Sequence, residues 1–437
     1  MRPPSSDGDE APPRTQVHLV RLLSGFRALR VRNYRLYWTG QLISMTGSWV
    51  QVTAQALLVL QLTNSPLAIG LVASFQFLPV MLLSLFGGVI ADRAPRYRMI
   101  LLTQTLAMIL AVIFGSLVGL GIIQLWQVYL LALLQGIVNA LDTPVRQAFA
   151  VELVGREDRP NVVALNSIVF NGSRIVGPAL AGLLIGPLGI AAMLYLNAAS
   201  FLAVMIGLLR MDTGQIAQEP RPPARVISQL REGLAYTWRT PEVLLVMILI
   251  GAIGTFGYNF SVTLPLIGGF ILHTSPASYG LLGAFLGLGS LTAAVANAYM
   301  GSFTPRRMII AAAAFSLLLG AVATTSNFAV AAALLFALGF AGISFTTAAN
   351  TVIQLRVPDD LRGRVSSLYF MLFAGSTPIG GLLIGVTASF FGVPDALLIC
   401  ATLCLLGVCA ALLYQRSIPR PVSPQTLDIC GDLERQP

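Results

Sequence analysis

Long apolar runs alternate along this chain with short polar or Gly/Pro-containing breaks. A spanning helix needs roughly 20 mostly apolar residues. Twelve segments qualify: 36–61, 67–91, 98–120, 125–148, 162–186, 190–210, 242–267, 277–300, 307–326, 328–354, 365–391 and 394–415. Breaks such as Thr63-Asn64-Ser65-Pro66 and Gly186-Pro187-Leu188-Gly189 separate neighbours closely, whereas 211–241 is long, polar and Pro-rich. The pattern predicts an all-α integral membrane protein with an N-terminal segment 1–34, a six-helix bundle 35–210 and a central loop 211–241. A second six-helix bundle 242–415 and a tail 416–437 complete it. Inside the central loop, Val226, Leu230, Leu234 and Trp238 recur every four residues between Arg225, Arg231 and Arg239. That spacing predicts a helix over 224–240 lying in the membrane interface, its apolar stripe against lipid or protein.

Composition narrows the class. Hydrophobic residues make up 56% and charged residues 10%, against roughly 25% charge in a soluble domain, which excludes an ordinary water-soluble or disordered chain. All 27 basic residues are Arg. Without a Lys there is no phosphate-binding P-loop, so no such ATPase drives the protein. Two histidines, His18 and His273, leave little for His catalysis or a metal cage, and Cys400, Cys404, Cys409 and Cys430 show no ligand or disulfide spacing. No cofactor and no metal are expected. The first 34 residues lack the apolar core of a secretory signal.

The arginines set an orientation. Arg21 to Arg35, Arg93, Arg96, Arg98, Arg156, Arg159, Arg210 to Arg239, Arg306, Arg307, Arg356, Arg362, Arg364, Arg416 and Arg420 all fall on one side of the proposed bilayer; the six loops on the other side carry none. The positive-inside rule makes the Arg-rich side cytoplasmic, with both termini inside and the chain multi-pass in the plasma membrane. The net charge of +9 is then spread thinly over loops, so lipid is an expected partner and nucleic acid is not.

Two loops recur about 200 residues apart. Gly88-Val89-Ile90-Ala91-Asp92-Arg93-Ala94-Pro95-Arg96-Tyr97-Arg98 joins the second and third segments, and 298–308, with Ser302-Phe303-Thr304-Pro305-Arg306-Arg307, joins the eighth and ninth. Glu157-Asp158-Arg159 precedes the fifth segment as Asp359-Asp360-Leu361-Arg362 precedes the eleventh. Two related halves of six helices are a transporter architecture with the substrate site at their interface near the midplane. The loop 88–98 resembles the signature between helices two and three of the major facilitator superfamily. Asn33-Tyr34-Arg35-Leu36-Tyr37-Trp38, Gly47-Ser48-Trp49-Val50-Gln51 and Asp142-Thr143-Pro144-Val145-Arg146 resemble its bacterial branch of the enterobactin exporter and drug-efflux proteins. The resemblance implies two pseudo-symmetric bundles of the major facilitator fold and efflux of drug-like or siderophore-like amphipathic molecules. It departs from the superfamily pattern at Pro95, at Ala132 and in the incomplete antiporter signature 177–182.

Polar side chains inside lipid are costly and mark a protein-facing or wet face. Gln41, Ser44, Ser48, Gln51 and Gln55 share one face of the first segment, and Gln135, Asn139, Asp142 and Arg146 one face of the fourth. Tyr258, Asn259 and Ser261 lie in the seventh, and Ser344, Thr347, Thr351 and Gln354 in the tenth. The resemblance places these four helices around the central cavity, so Gln51, Gln55, Gln135, Asn139, Arg174, Tyr258, Asn259 and Thr351 are the expected cavity residues. Arg174, near mid-membrane, needs an anionic partner, and Asp142 is the acid within reach. Their pairing would either tie two helices together or poise Arg174 for an anionic substrate and Asp142 as a proton carrier. By resemblance, Gly88, Asp92, Arg93, Arg96 and Arg98 form a cytoplasmic gate, Asp92 docking on the helix N-terminus after Arg364. The expected protein is a monomeric secondary transporter exchanging protons for an exported small molecule. A nutrient importer or uncoupled facilitator shares the same pattern. An intramembrane enzyme finds neither a His facing a Ser nor paired aspartates.

Overall fold

The protein is described by a computed structural model covering residues 26–93, 95–212, 214, 226–300 and 304–417. Among these residues there is no strand. The helices are α1 (Arg32–Thr63), α2 (Pro66–Arg93), α3 (Arg96–Gly119), α4 (Leu125–Glu152) and α5 (Arg159–Leu209). They continue with α6 (Val226–Arg239), α7 (Pro241–Phe256), α8 (Phe260–Leu266), α9 (Pro276–Met300) and α10 (Pro305–Ala323), then α11 (Phe328–Arg356), α12 (Asp359–Ala374), α13 (Thr377–Phe391) and α14 (Val393–Ser417). Lipid offers no hydrogen bonds, so the backbone must satisfy itself within helices. Their ends are closed locally: Asn327 Oδ1 accepts from the amides of Ala329 and Val330 (2.9 and 3.2 Å), and Gln124 and Gln127 cap α4 reciprocally.

The 51 residues of α5 would extend about 76 Å at 1.5 Å per residue, far more than a bilayer core of about 30 Å. Gly189 divides it, with φ 79° and ψ 169°, into limbs 159–188 and 190–209. With α7 and α8 counted as one span and α12 and α13 as another, the described residues supply the twelve spans expected. Loops at the Arg-poor end are tight. Positive φ recurs there at corresponding places in the two halves: Asn64 (46°) matches His273 (48°), and Gly189 (79°) matches Gly392 (90°). The duplication read from the Arg-rich loops is thus repeated in turn geometry at the opposite end.

Two spans differ from the expected continuous helices. The seventh is interrupted at Gly257, Tyr258 and Asn259, where the amides of Gly257 and Tyr258 both donate to the Ile253 carbonyl, and it ends in a π turn, Ile267–Ile271. The eleventh is interrupted at Gly375 and Ser376. The breaks are neighbours: Gly380 lies so close to the Thr255 carbonyl and the Asn259 amide that no side chain fits between them. Pro378, which lacks an amide hydrogen, restarts the eleventh span after its break.

The halves meet along two seams related by the internal symmetry, α5 against α9 and α2 against α13. Each is glycine-lined. A Cβ on Gly280 would sit 2.5 Å from the Pro178 carbonyl, and one on Gly70 2.5 Å from the Gly381 carbonyl. Ser74 Oγ donates to Pro378 O across the second seam at 2.8 Å. Both contacts lie toward the Arg-poor end, and small residues there let the backbones touch.

The helix expected in the central loop forms as α6, over Val226–Arg239. Thr237 is buried and Gly233 packs on the Arg364 backbone, while Leu234 and Trp238 are exposed. Glu232 pairs with Arg364, and Tyr236 Oη donates to the Arg356 carbonyl at 3.1 Å. The helix therefore belongs to the second half.

Candidate functional site

Arg174 lies fifteen residues into α5, about 22 Å along it. It is only 9% exposed, and its surroundings are aromatic. The guanidinium carbon is 5.1 Å from the Phe260 ring centroid and 5.8 Å from those of Trp49 and Tyr258. Three spans, α1, α5 and the interrupted seventh, thereby close a cage across the boundary between the halves. Gly177 lets the Trp49 side chain press against α5, and a hydroxyl–hydroxyl hydrogen bond between Thr46 and Ser173 (3.1 Å) fixes the register beside it. The Tyr258 ring extends the cage by stacking on Phe315 (5.7 Å) and leaning on Phe373 (4.9 Å).

The expected Arg174–Asp142 pair does not form. Asp142 is held by its own neighbours: Arg146 one helical turn away, Thr103 Oγ1 (2.6 Å) and Gln104 Nε2 (3.3 Å) on α3. Arg146 also donates to Gln41 Oε1 of α1, and Tyr37 Oη donates to its carbonyl at 3.3 Å. Geometry explains the difference. Four residues on one helix are an easy ion-pair spacing, whereas Arg174 shares a face of α5 with Pro178, turned to the α9 seam. Among the described residues Arg174 makes no ion pair or hydrogen bond.

The remaining expected cavity residues divide. Gln51 accepts a hydrogen bond from Asn197 Nδ2 of the second α5 limb at 2.7 Å, a bond inside the first bundle. Gln55 is buried on the same helix. Gln135 donates to Asn139 Oδ1 at 3.1 Å, and both keep partial exposure. Thr351 is half-buried and bonds back to the Thr347 carbonyl of its own helix. Asn259 lies in the break with no exposed surface; its Nδ2 donates to Thr255 O at 2.6 Å and its Oδ1 has no partner among the described residues. Tyr258 alone of these joins Arg174 in the cage. Of the gate residues, Arg96 is buried against Glu152 of α4, and Arg98 is exposed. The side chains of Gly88, Asp92 and Arg93 lie outside the described residues.

A small chamber adjoins the cage, lined by Trp49, Thr53, Arg174, Phe260, Ser261 and Tyr279 among others. About 30 Å³ within it admits the centre of a water molecule, room for one or two waters. A drug-sized ligand needs roughly 300 Å³ or more, so the halves hold the chamber nearly collapsed. Sequence reasoning did not find Phe260 and treated Trp49 only as part of a resemblance. Trp49 carried a signal, since Trp favours the membrane interfaces and this one falls mid-span. Phe260 carried none, because nothing in a hydropathy pattern shows which Phe meets a distant Arg.

Comparisons with known proteins agree with this architecture. Among solved structures, a bacterial homologue of the human lysosomal transporter Spinster, inward-facing and unoccupied, superposes with a TM-score of 0.69 at 14% identity, covering 90% of this chain and 97% of that one. Among curated relatives, the multidrug efflux pump Tap of Mycolicibacterium fortuitum is 28% identical over 84% of this chain and 92% of its own length. The staphyloferrin A transporter of Staphylococcus aureus is 23% identical over 82% and 90% respectively. The family described as transmembrane secretion effector matches residues 23–424. Twelve spans in two related halves, closed on a buried cage, thus come with a match over almost the whole length, and the chain belongs to the transmembrane secretion effector family of major facilitator transporters.

Proposed function

We propose that the protein exports small amphipathic molecules, drugs or siderophores, across the plasma membrane by alternating access, in exchange for protons. The observation that carries this reading is the cage at Arg174. It is a buried cation, unpaired among the described residues, beside a small chamber built from both halves at the place where a two-half transporter holds its cargo. The glycine seams support it as the closed barrier. With the Arg-rich end cytoplasmic, they seal the outer face. The names of the relatives, a multidrug efflux pump and a siderophore transporter, favour export of such cargo.

Asp142 is the proposed proton carrier. It is the only buried acid among the described residues; Thr103 and Gln104 donate to it from α3, and a proton on it would remove the charge that pairs Arg146. The segment from Gly88 through Asp92 to Arg98 remains the proposed cytoplasmic gate, and the monomer the proposed working unit. Everted vesicles carrying the protein test the whole reading with a panel of labelled drugs and siderophores. Inward accumulation of at least one compound, abolished by a proton uncoupler, is expected. No accumulation beyond protein-free vesicles for any compound would overturn export, and accumulation indifferent to the uncoupler would overturn proton exchange.

A further inference from the structure

We propose that the cage at Arg174 is a subsite for an anionic group, so that the molecules this protein handles best are aromatic or aliphatic anions and not cations. The inference rests on the transport reading above and narrows its substrate class.

The chamber wall decides the sign of the charge. Arg174 is its only ionised side chain, and no Asp or Glu lines it. Ser261, whose hydroxyl makes no hydrogen bond among the described residues, is a second free donor on the same wall. The rest is apolar or aromatic, with Trp49, Phe260 and Tyr279 supplying ring faces. A ligand cation entering this wall would meet a like charge and no counter-charge. A ligand carboxylate would meet a guanidinium with five N–H donors, all without an acceptor among the described residues.

The aromatic rings complete the argument. Three ring faces at 5.1–5.8 Å steady the cation, but they leave its in-plane donors unused. A planar fork of donors matches a carboxylate in bidentate fashion. Ring faces at the edge of such a site suit the apolar body attached to that carboxylate. The anion is therefore expected to take the guanidinium's edge while the rings keep its face, so binding need not dismantle the cage. A structural Arg would already be paired. Asp142, the one buried acid among the described residues, is held instead by Arg146, Thr103 and Gln104.

The test compares two probes of one shape, 1-naphthoate and its uncharged amide 1-naphthamide, by equilibrium dialysis against the full-length protein in detergent, with no gradient applied. The wild type is expected to bind the naphthoate at least tenfold more tightly. Arg174→Gln should abolish that preference and leave the amide's affinity within twofold. Equal affinity of the two probes for the wild type, or a preference that survives in Arg174→Gln, overturns the inference. Should the glutamine variant fail to insert, the wild-type ratio decides alone. Because no transport is measured, an anion preference in a protein that pumps nothing would leave this inference standing while the export reading fell. Conversely, pumping of uncharged and cationic drugs by a wild type without anion preference would sink this inference alone.

Discussion

A guanidinium at the bilayer centre costs at least about 2.5 kcal/mol on the insertion scale; Arg174 lies there, whereas Arg146 lies near the Arg-rich end of α4, and the two are accommodated differently. Arg146 is paired with Asp142 on its own helix and donates to Gln41 of α1, whereas Arg174 has only ring faces. Breaking the Asp142–Arg146 pair and removing the Arg174 charge should therefore have opposite consequences for stability. Asp142→Asn strands the Arg146 charge in a buried network, and breaking one side of a buried pair costs about 3–5 kcal/mol. Arg174→Met removes an unpaired charge and keeps the volume, so thermal unfolding in detergent should show it as stable as the wild type or more so. A loss above about 2 kcal/mol for Arg174→Met would make that residue a structural strut. The sequence made Arg174 stand out because hydropathy registers a charge in lipid. It assigned the wrong partner because one-dimensional spacing cannot tell which face of α5 turns to α4 and which to the seam.

Turns and breaks set the limits at the level of elements. The twelve spans were legible because lipid imposes length and apolarity together, and even the turn at Gly186-Pro187-Leu188-Gly189 was visible as a break. The interruptions at 257–259 and 375–376 were not. Each contains a Gly, but so do stretches that stay helical, such as Gly172 and Gly177 in α5. What breaks the seventh and eleventh spans is their contact with each other at Gly380, a tertiary fact. The symmetric turns give a sharper prediction. Gly189 and Gly392 occupy backbone regions near φ 80–90° and ψ 160–170° that other residues scarcely enter, with strain of roughly 1–3 kcal/mol for a side chain there. Gly189→Ala and Gly392→Ala should each lower the unfolding midpoint. Gly186→Ala, three residues away in open space and without a positive φ, should hold or raise it, since Ala is the better helix former. A similar loss in all three would contradict the turn geometry.

For the whole molecule, the strongest commitment is that the two seams must part for cargo to cross. Glycine contacts make this plausible at low energetic cost, because backbone-to-backbone packing in lipid lacks a hydrophobic drive and rests on close fit alone. The pairing of Ala73 with Gly381 allows the commitment to be tested covalently. A Cβ on Gly381 would lie 3.5 Å from that of Ala73, inside the range of about 3.5–4.5 Å that a disulfide requires. In a background without the four native cysteines, Ala73→Cys with Gly381→Cys should therefore oxidise readily and staple α2 to α13. The stapled protein should retain its fold and its anion binding while transport stops, and reduction of the disulfide should restore transport several-fold. Each single cysteine should transport nearly as well as its background, since the nearest atom to the new side chain at 381 is a Val262 methyl at 3.3 Å, which can give way. A stapled protein that still pumps would mean that cargo passes without this seam opening, and the symmetric rocking of the two halves would have to be abandoned in favour of a path through one half alone.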